Sequence, residues 1–380
     1  MIGIAGSVSL RRGLAQLRTA QLTVLGWFLA SRLVALAAFL GLYALGPAGY
    51  FGERLFRSPL DLLGAWDGVW YARVAAHGYL LVPHHQSDPA FFPLFPILMR
   101  GLHALGLPYA AGGALIANAA AAAATPAFYR LGRLLLPEHV AMRAAIFLAL
   151  TPMGFVFSMA YPESLVLALT VFAALAALEG RWLPAAFFAA LAVLTRPEGL
   201  LVSILFTAIA WRKRGGFDPG ARGRALAAIL AGPTALASFL LYLQWSLGDA
   251  LAWSRAQELW GRSFHLSGPF HAIEHLPDLV ASNPWLARDA VLAAAYLTLL
   301  ALAALRTSLP REWILAGAFV LVLPLFSGTV ESEGRFGLLA LPVYWGAASI
   351  SPSPAYERAL RFGLLGLIAA GVLTLPYVWP

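Results

Sequence analysis

The residues of this chain best suited to chemistry are a few carboxylates and arginines, each set at the edge of an apolar run. Asp67 stands in Trp66-Asp67-Gly68-Val69-Trp70-Tyr71-Ala72-Arg73. At helical spacing Trp66, Trp70, Arg73 and His77 share one stripe, while Asp67, Tyr71 and Val74 share the next. An aromatic belt at headgroup depth explains the Trp and Tyr but not a carboxylate set between two Trp. Asp67 is a functional carboxylate, a helix cap, or the partner of a salt bridge to Arg73. Glu163, in Tyr161-Pro162-Glu163-Ser164, opens a helix, where the N-terminal dipole favours a carboxylate whatever else it does. Arg196 and Glu198 flank Pro197 at a break between two short apolar stretches, and ionisable groups at such depth are costly unless used or paired. They are functional, or they form a structural pair, Arg196 with Glu198 or with Glu163. Arg335 follows Glu331 and Glu333 at another helix start, as a phosphate-binding group or a flanking charge. In general a carboxylate can move a proton and a guanidinium can grip a phosphate with two hydrogen bonds. The eight histidines are not read as metal ligands and there is no cysteine, so no metal site, cofactor or disulfide is expected.

What must position these residues is a membrane fold. Of 380 residues, 60% are hydrophobic and 12% charged, with a mean hydropathy of +0.75, and no compact soluble domain can hide that much apolar side chain. A water-soluble enzyme, a nucleic-acid module and a disordered tail are excluded. A crossing takes about 20 residues, so the composition admits about eleven transmembrane helices. The predicted class is all-α and polytopic, one transmembrane unit over 1–380. Apolar runs at roughly 20–45, 109–129, 141–158, 162–179, 183–195, 198–212, 225–245, 286–306, 312–328, 337–350 and 362–378 supply the spans. The first has no cleavage pattern behind it and is predicted to be retained.

The formal net charge is +8, yet 25 of the 26 basic residues are arginines scattered between apolar runs, which points to topology and not to a nucleic-acid partner. With the N-terminus inside, the inner segments, which include Arg11, Arg12 and Arg18, hold 16 basic and 5 acidic residues; the outer ones hold 9 and 13. This requires 91–107, with Pro93, Pro96, Arg100 and His103, to lie as an interfacial helix. Only Arg32 falls clearly inside a span. The outer side then owns two long polar segments, 46–108 with its interfacial helices and 246–285, together with the connections that carry Glu163, Arg196, Glu198 and Arg335. Chemistry is predicted on the non-cytoplasmic face. Asp88-Pro89-Ala90-Phe91-Phe92-Pro93 forms a rigid aromatic lip, chiefly structural, and 248–260 is predicted to be a surface helix with a solvated polar face. The Ala-rich run 119–124 is a packing surface.

Taken in order, Trp66-Asp67-x-x-Trp70-Tyr71 with Gly78-Tyr79, Phe91-Phe92-Pro93-Leu94-x-Pro96, Tyr161-x-Glu163-Ser164, Thr195-Arg196-Pro197-x-Gly199, Gly248-Asp249-x-Leu251-Ala252-Trp253 through Gln257, and Gly334-Arg335-Phe336 resemble the PIG-V-like mannosyltransferases. The resemblance covers about 60 to 345. Two positions depart from it: Phe336 stands where the family more often has Tyr, and Pro162 replaces the usual Thr before Glu-Ser.

The resemblance implies a membrane glycosyltransferase of the GT-C superclass that takes a sugar, mannose in the family, from a polyprenyl-phosphate donor. A hydroxyl would attack the anomeric carbon in one inverting displacement. Asp67 would be the base, and Arg196 and Arg335 the phosphate partners. Glu163 and Glu198 would orient sugar hydroxyls or the arginines, with Trp66, Trp70 and Tyr71 at donor depth. No alternating strand and helix pattern exists for a nucleotide-sugar domain. The acceptor would be a lipid, glycan or glycoprotein. The Ala- and Arg-rich composition points to a GC-rich prokaryote, hence to a cell (inner) membrane. Two rivals are a transporter or flippase of lipid-linked sugar and a non-catalytic subunit that presents a carrier lipid.

Overall fold

The computed structural model describes residues 2–47, 55–350, 353–378 and 380, with side chains from Thr19 onward. The side chains of Arg11, Arg12 and Arg18, and residues 48–54 at the start of the first long outer segment, lie outside the described residues. Those described are helical, with no strand among them. Four helices are long and apolar enough to cross a membrane: Thr19–Leu45, Tyr109–Leu135, Pro219–Leu247 and Leu286–Arg306. A fifth crossing exists if Glu138–Ala149 and Pro152–Ser158, which meet at 65°, count as one broken span.

The other apolar runs fold into shorter helices, Glu163–Leu178, Trp182–Thr195, Leu201–Lys213, Arg311–Val322 and Leu341–Ala348. None reaches the roughly 20 residues of a straight crossing. Prolines set their lengths: Pro197 and Pro310 lie just outside helix ends, and a proline has no N–H for the ladder. Glu163–Leu178 is apolar all round because it is buried nearly all round, between Tyr109–Leu135 and Trp182–Thr195. Leu341–Ala348 is likewise interior, against Leu286–Arg306 and Glu138–Ala149. The run at 362–378 begins earlier than its hydropathy, as the helix Pro354–Leu373, which packs along the first helix with Arg361 bonded to Glu357 one turn before it.

Arg32 is satisfied without a carboxylate. Its Nη1 donates to the Gly154 carbonyl at 2.6 Å and the Ser158 hydroxyl at 2.9 Å, with the Phe28 and Phe157 rings beside the guanidinium. The bend at Thr151 and Pro152 turns these acceptors toward it, so a charge in the first span is met by a carbonyl and a hydroxyl beyond a helix break.

Small residues let the site-bearing segments approach. Gly112, Gly113, Ala114, Ala117, Ala121 and Ala124 are buried along Tyr109–Leu135, and the Ser164 hydroxyl donates to the Ala117 carbonyl at 2.7 Å. The helix Asp67–His77 rests on this helix and on Leu94–Ala104, the helix within 91–107. A Cβ on Gly113 would stand 2.6 Å from the Ala160 Cβ. Gly113→Ala should therefore lower the melting temperature in detergent. Overpacking of about 1–3 kcal/mol exceeds the helix-propensity gain of about 1 kcal/mol, and an unchanged melting temperature would show that the two segments part without cost.

Candidate functional site

Five charged side chains from four segments form one alternating series: Glu198, Arg196, Glu163, Arg335, Asp67. Pro197 ends the helix Trp182–Thr195, and Arg196 leaves it with extended backbone. The next turn lies so close to that helix that a Cβ on Gly199 would stand 2.4 Å from the Ala192 carbonyl carbon. This fold-back places Glu198 against its neighbour two residues away. Arg196 donates to the two Glu198 carboxylate oxygens at 2.8 and 3.1 Å, and its Nη1 donates to Glu163 Oε1 at 2.7 Å. Glu163, wholly buried at the start of its helix, is also 3.5 Å from Arg335 Nε. Arg335 Nη1 in turn donates to Asp67 Oδ2.

Three carboxylates thus face two guanidiniums. Breaking such a buried series is costly because the remaining charges lose their partners. Burial pushes the Glu198 carboxyl up, but the Arg196 guanidinium overrides it and holds the acid below its ordinary value.

Asp67 is neither a side-chain cap nor the partner of Arg73. The backbone N–H of Asp67 donates to the Tyr161 hydroxyl at 3.1 Å, and its carboxylate goes to Arg335. Arg73 lies over Trp70 and pairs with buried Asp88 at 3.3 Å. Residue 73 is six positions beyond residue 67, on another face of the helix. Asp67 and Arg335, at one end of the series, both lie near strained backbone. Trp66 has φ 58° and Ser332 φ 64°, two of the three described non-glycine residues with positive φ. Such geometry costs about 1–3 kcal/mol per residue and persists only where its surroundings enforce it. The Trp66 indole donates to the Leu375 carbonyl at 3.0 Å, and the Ser332 N–H donates to buried Asp289 at 2.8 Å.

The series faces a cavity of about 760 Å³, the size of a small-molecule site. Trp66, Asp67, Trp70, Tyr71, Arg196, Glu198 and Arg335 all line it; Glu163 sits behind them. Two segments have more of a part than their sequence suggests. Phe91 and Phe92 of the proline-rich lip line the cavity, with Trp70 stacked on Phe91 at 5.8 Å. The segment 248–260 is not simply a solvated surface helix: Trp253, Gln257 and Trp260 form a wall, Gln257 donates to the Ala90 carbonyl at 3.2 Å, and Trp260 meets Trp70 edge-on at 5.1 Å. The packing of Ala252–Leu259 against Asp88–Ala90 forces this, since it turns the Trp side of an amphipathic helix inward.

Arg262, a cavity residue that sequence reasoning missed, lies in a polar connection with no motif around it but Trp260. Its guanidinium donates to the Glu331 carbonyl at 3.0 Å and the Ser332 hydroxyl at 3.2 Å. Phe336 joins the arginines: the guanidinium carbons of Arg196, Arg262 and Arg335 lie 5.0, 5.2 and 5.5 Å from its ring centre, within cation–π range. Among the described residues no three His, Asp or Glu side chains converge as metal ligands would.

Behind the cavity Glu333 is wholly buried, and neither of its carboxyl oxygens has a hydrogen-bond partner. Burial pushes its pKa well above the ordinary 4.5, against the pull of Arg262 and with the push of Asp289. The folded state therefore keeps a proton that the unfolded chain releases, so stability falls as pH rises from 4.5 toward the folded value. Glu333→Gln should remove that slope, and parallel melting curves of variant and wild type across pH would show that Glu333 does not hold the proton. Arg196→Ala, which leaves Glu163 and Glu198 without their main partner, should cost roughly 3–5 kcal/mol, read as a lower thermal midpoint in detergent; a wild-type midpoint would show that the series does not hold these segments together. No protein-family model and no curated protein matches the chain.

Proposed function

We propose that the protein is a membrane glycosyltransferase with GT-C architecture, which transfers a sugar from a polyprenyl-phosphate donor to an acceptor hydroxyl on the non-cytoplasmic face. The observation that carries this is the position of Asp67: a carboxylate open to a cavity lined by aromatics and by the guanidiniums of Arg196 and Arg335. In this reading the four long helices, the bent pair, the five shorter helices and Pro354–Leu373 together make about eleven crossings. The cell (inner) membrane of a prokaryote is the proposed site of action, mannose the proposed sugar, and a lipid, glycan or glycoprotein the acceptor.

The chemistry asks for a base on one side of the anomeric carbon and positive charge on the other. The acceptor oxygen attacks the anomeric carbon, the bond from that carbon to the phosphate oxygen breaks, and its electron pair leaves with polyprenyl phosphate. The acceptor proton passes to Asp67. Arg335 holds Oδ2, which fixes the carboxylate and leaves Oδ1 for the hydroxyl. Because Glu163 and Glu198 already balance most of the charge on Arg196 and Arg335, those arginines contribute their remaining N–H donors more than free charge. Trp66, Trp70 and Tyr71 shape the sugar end, where rigid aromatic faces exclude water and orient a ring.

Asp67→Asn keeps the shape and the contact to Arg335 while removing the basic oxygen. Transfer from a polyprenyl-phosphate sugar in detergent should fall by about 10²-fold or more, with the melting temperature near wild type. Full turnover by the variant would reject Asp67 as the base. Undiminished carrier binding by a wild-type protein that never transfers sugar would favour the carrier-presenting subunit.

A further inference from the structure

Of the three guanidiniums lining the cavity, two are closely paired with carboxylates. Arg196 lies between Glu163 and Glu198, and Arg335 between Asp67 and Glu163, all within 3.5 Å. Arg262 differs. Its fork is held by a backbone carbonyl and a hydroxyl, which orient it without cancelling its charge, and its nearest carboxylate oxygen, on Glu331, is 4.0 Å away. The Phe336 ring brings it to the edge of the paired series. A guanidinium in that setting is costly to bury, and burial presses its pKa below the ordinary arginine value. An arriving anion would relieve that cost.

We propose that Arg262 is the anion-holding residue of this cavity and that it takes the phosphate of a lipid-borne phosphate ester. This rests on the function proposed above and assigns the donor's phosphate to a residue outside the paired series. The surroundings favour an amphiphile over free phosphate. Two residues along, Phe264 stacks on Phe326 at 4.8 Å, and both line the cavity with Leu323 and Pro324. Phe264 is 63% exposed and Leu266 81%, so an apolar surface runs outward from the cation. A phosphate on Arg262 would have its lipid chain along that surface and its sugar toward Asp67. Asp67, Glu198, Glu258 and Glu331 line the cavity with the three guanidiniums, and Glu163 lies behind them. A phosphodiester, with one charge, adds less repulsion to that set than a diphosphate.

The test is equilibrium binding to the full-length protein in detergent, with four probes: a polyprenyl monophosphate, the polyprenyl diphosphate and the polyprenol of the same chain length, and inorganic phosphate. Wild type should bind the monophosphate about tenfold or more tightly than the polyprenol and more tightly than the diphosphate, with inorganic phosphate a weak competitor. Arg262→Gln should abolish the preference for monophosphate over polyprenol and leave polyprenol binding in place. Arg262→Lys should narrow that preference without erasing it, because an ammonium keeps the charge and loses the fork. If the Gln variant does not fold, the Lys variant decides, and an unchanged preference overturns the proposal. Equal loss of polyprenol and monophosphate binding, or a wild type indifferent to phosphate, overturns it as well. Inorganic phosphate that matches the lipid monophosphate would overturn the lipid source. If Arg262→Gln keeps its phosphate preference while Asp67→Asn loses transfer, this assignment falls and the glycosyltransferase stands.

Discussion

Glu163 is the constraint on which the site depends. A wholly buried carboxylate must be paired, and here one oxygen meets two arginines delivered by widely separated parts of the chain. That double use fixes the distance between the break after Thr195 and the turn before Phe336. Asp67 joins the same place, since Arg335, paired with Glu163 through Nε, also donates from Nη1 to Asp67. The ion pairs contribute little beyond their own desolvation cost; what they set is the arrangement.

The surrounding helices serve that arrangement through close approach. Gly113 admits Ala160, Gly199 lets the turn fold onto its own helix, and the Tyr161 hydroxyl ties the segment before Glu163 to the N–H of Asp67. Strained backbone at Trp66 and Ser332 borders the same cavity from two sides. Local conformational cost has gathered where the charged residues are.

Much of this was legible in the sequence, and the rest had physical reasons not to be. Asp67, Arg196 and Arg335 stood out because a charge at the edge of an apolar run is expensive and so invites explanation. Their pairing did not stand out: Asp67 takes a partner from the far end of the chain, and periodicity speaks only of neighbours three or four residues away. Arg196 pairs with both Glu163 and Glu198, which the sequence offers as alternatives. Arg262 had no motif, since its role depends on a connection folding over Phe336. Hydropathy does not fix the number of spans, because it scores an apolar side chain alike whether it faces lipid or another helix. Glu163–Leu178 and Leu341–Ala348 face protein.

The series of charges also has an order in time. Chains enter the membrane from the N-terminus, so Asp67 is made 268 residues before the arginine that binds it, and Glu163 33 residues before Arg196. Until Arg335 emerges, the acidic members wait in a nascent protein without their full complement of partners. Closure of this site is thus a late event of biogenesis, and a ribosome that stops short of Arg335 leaves behind a helical bundle whose carboxylates have no reason to be inside.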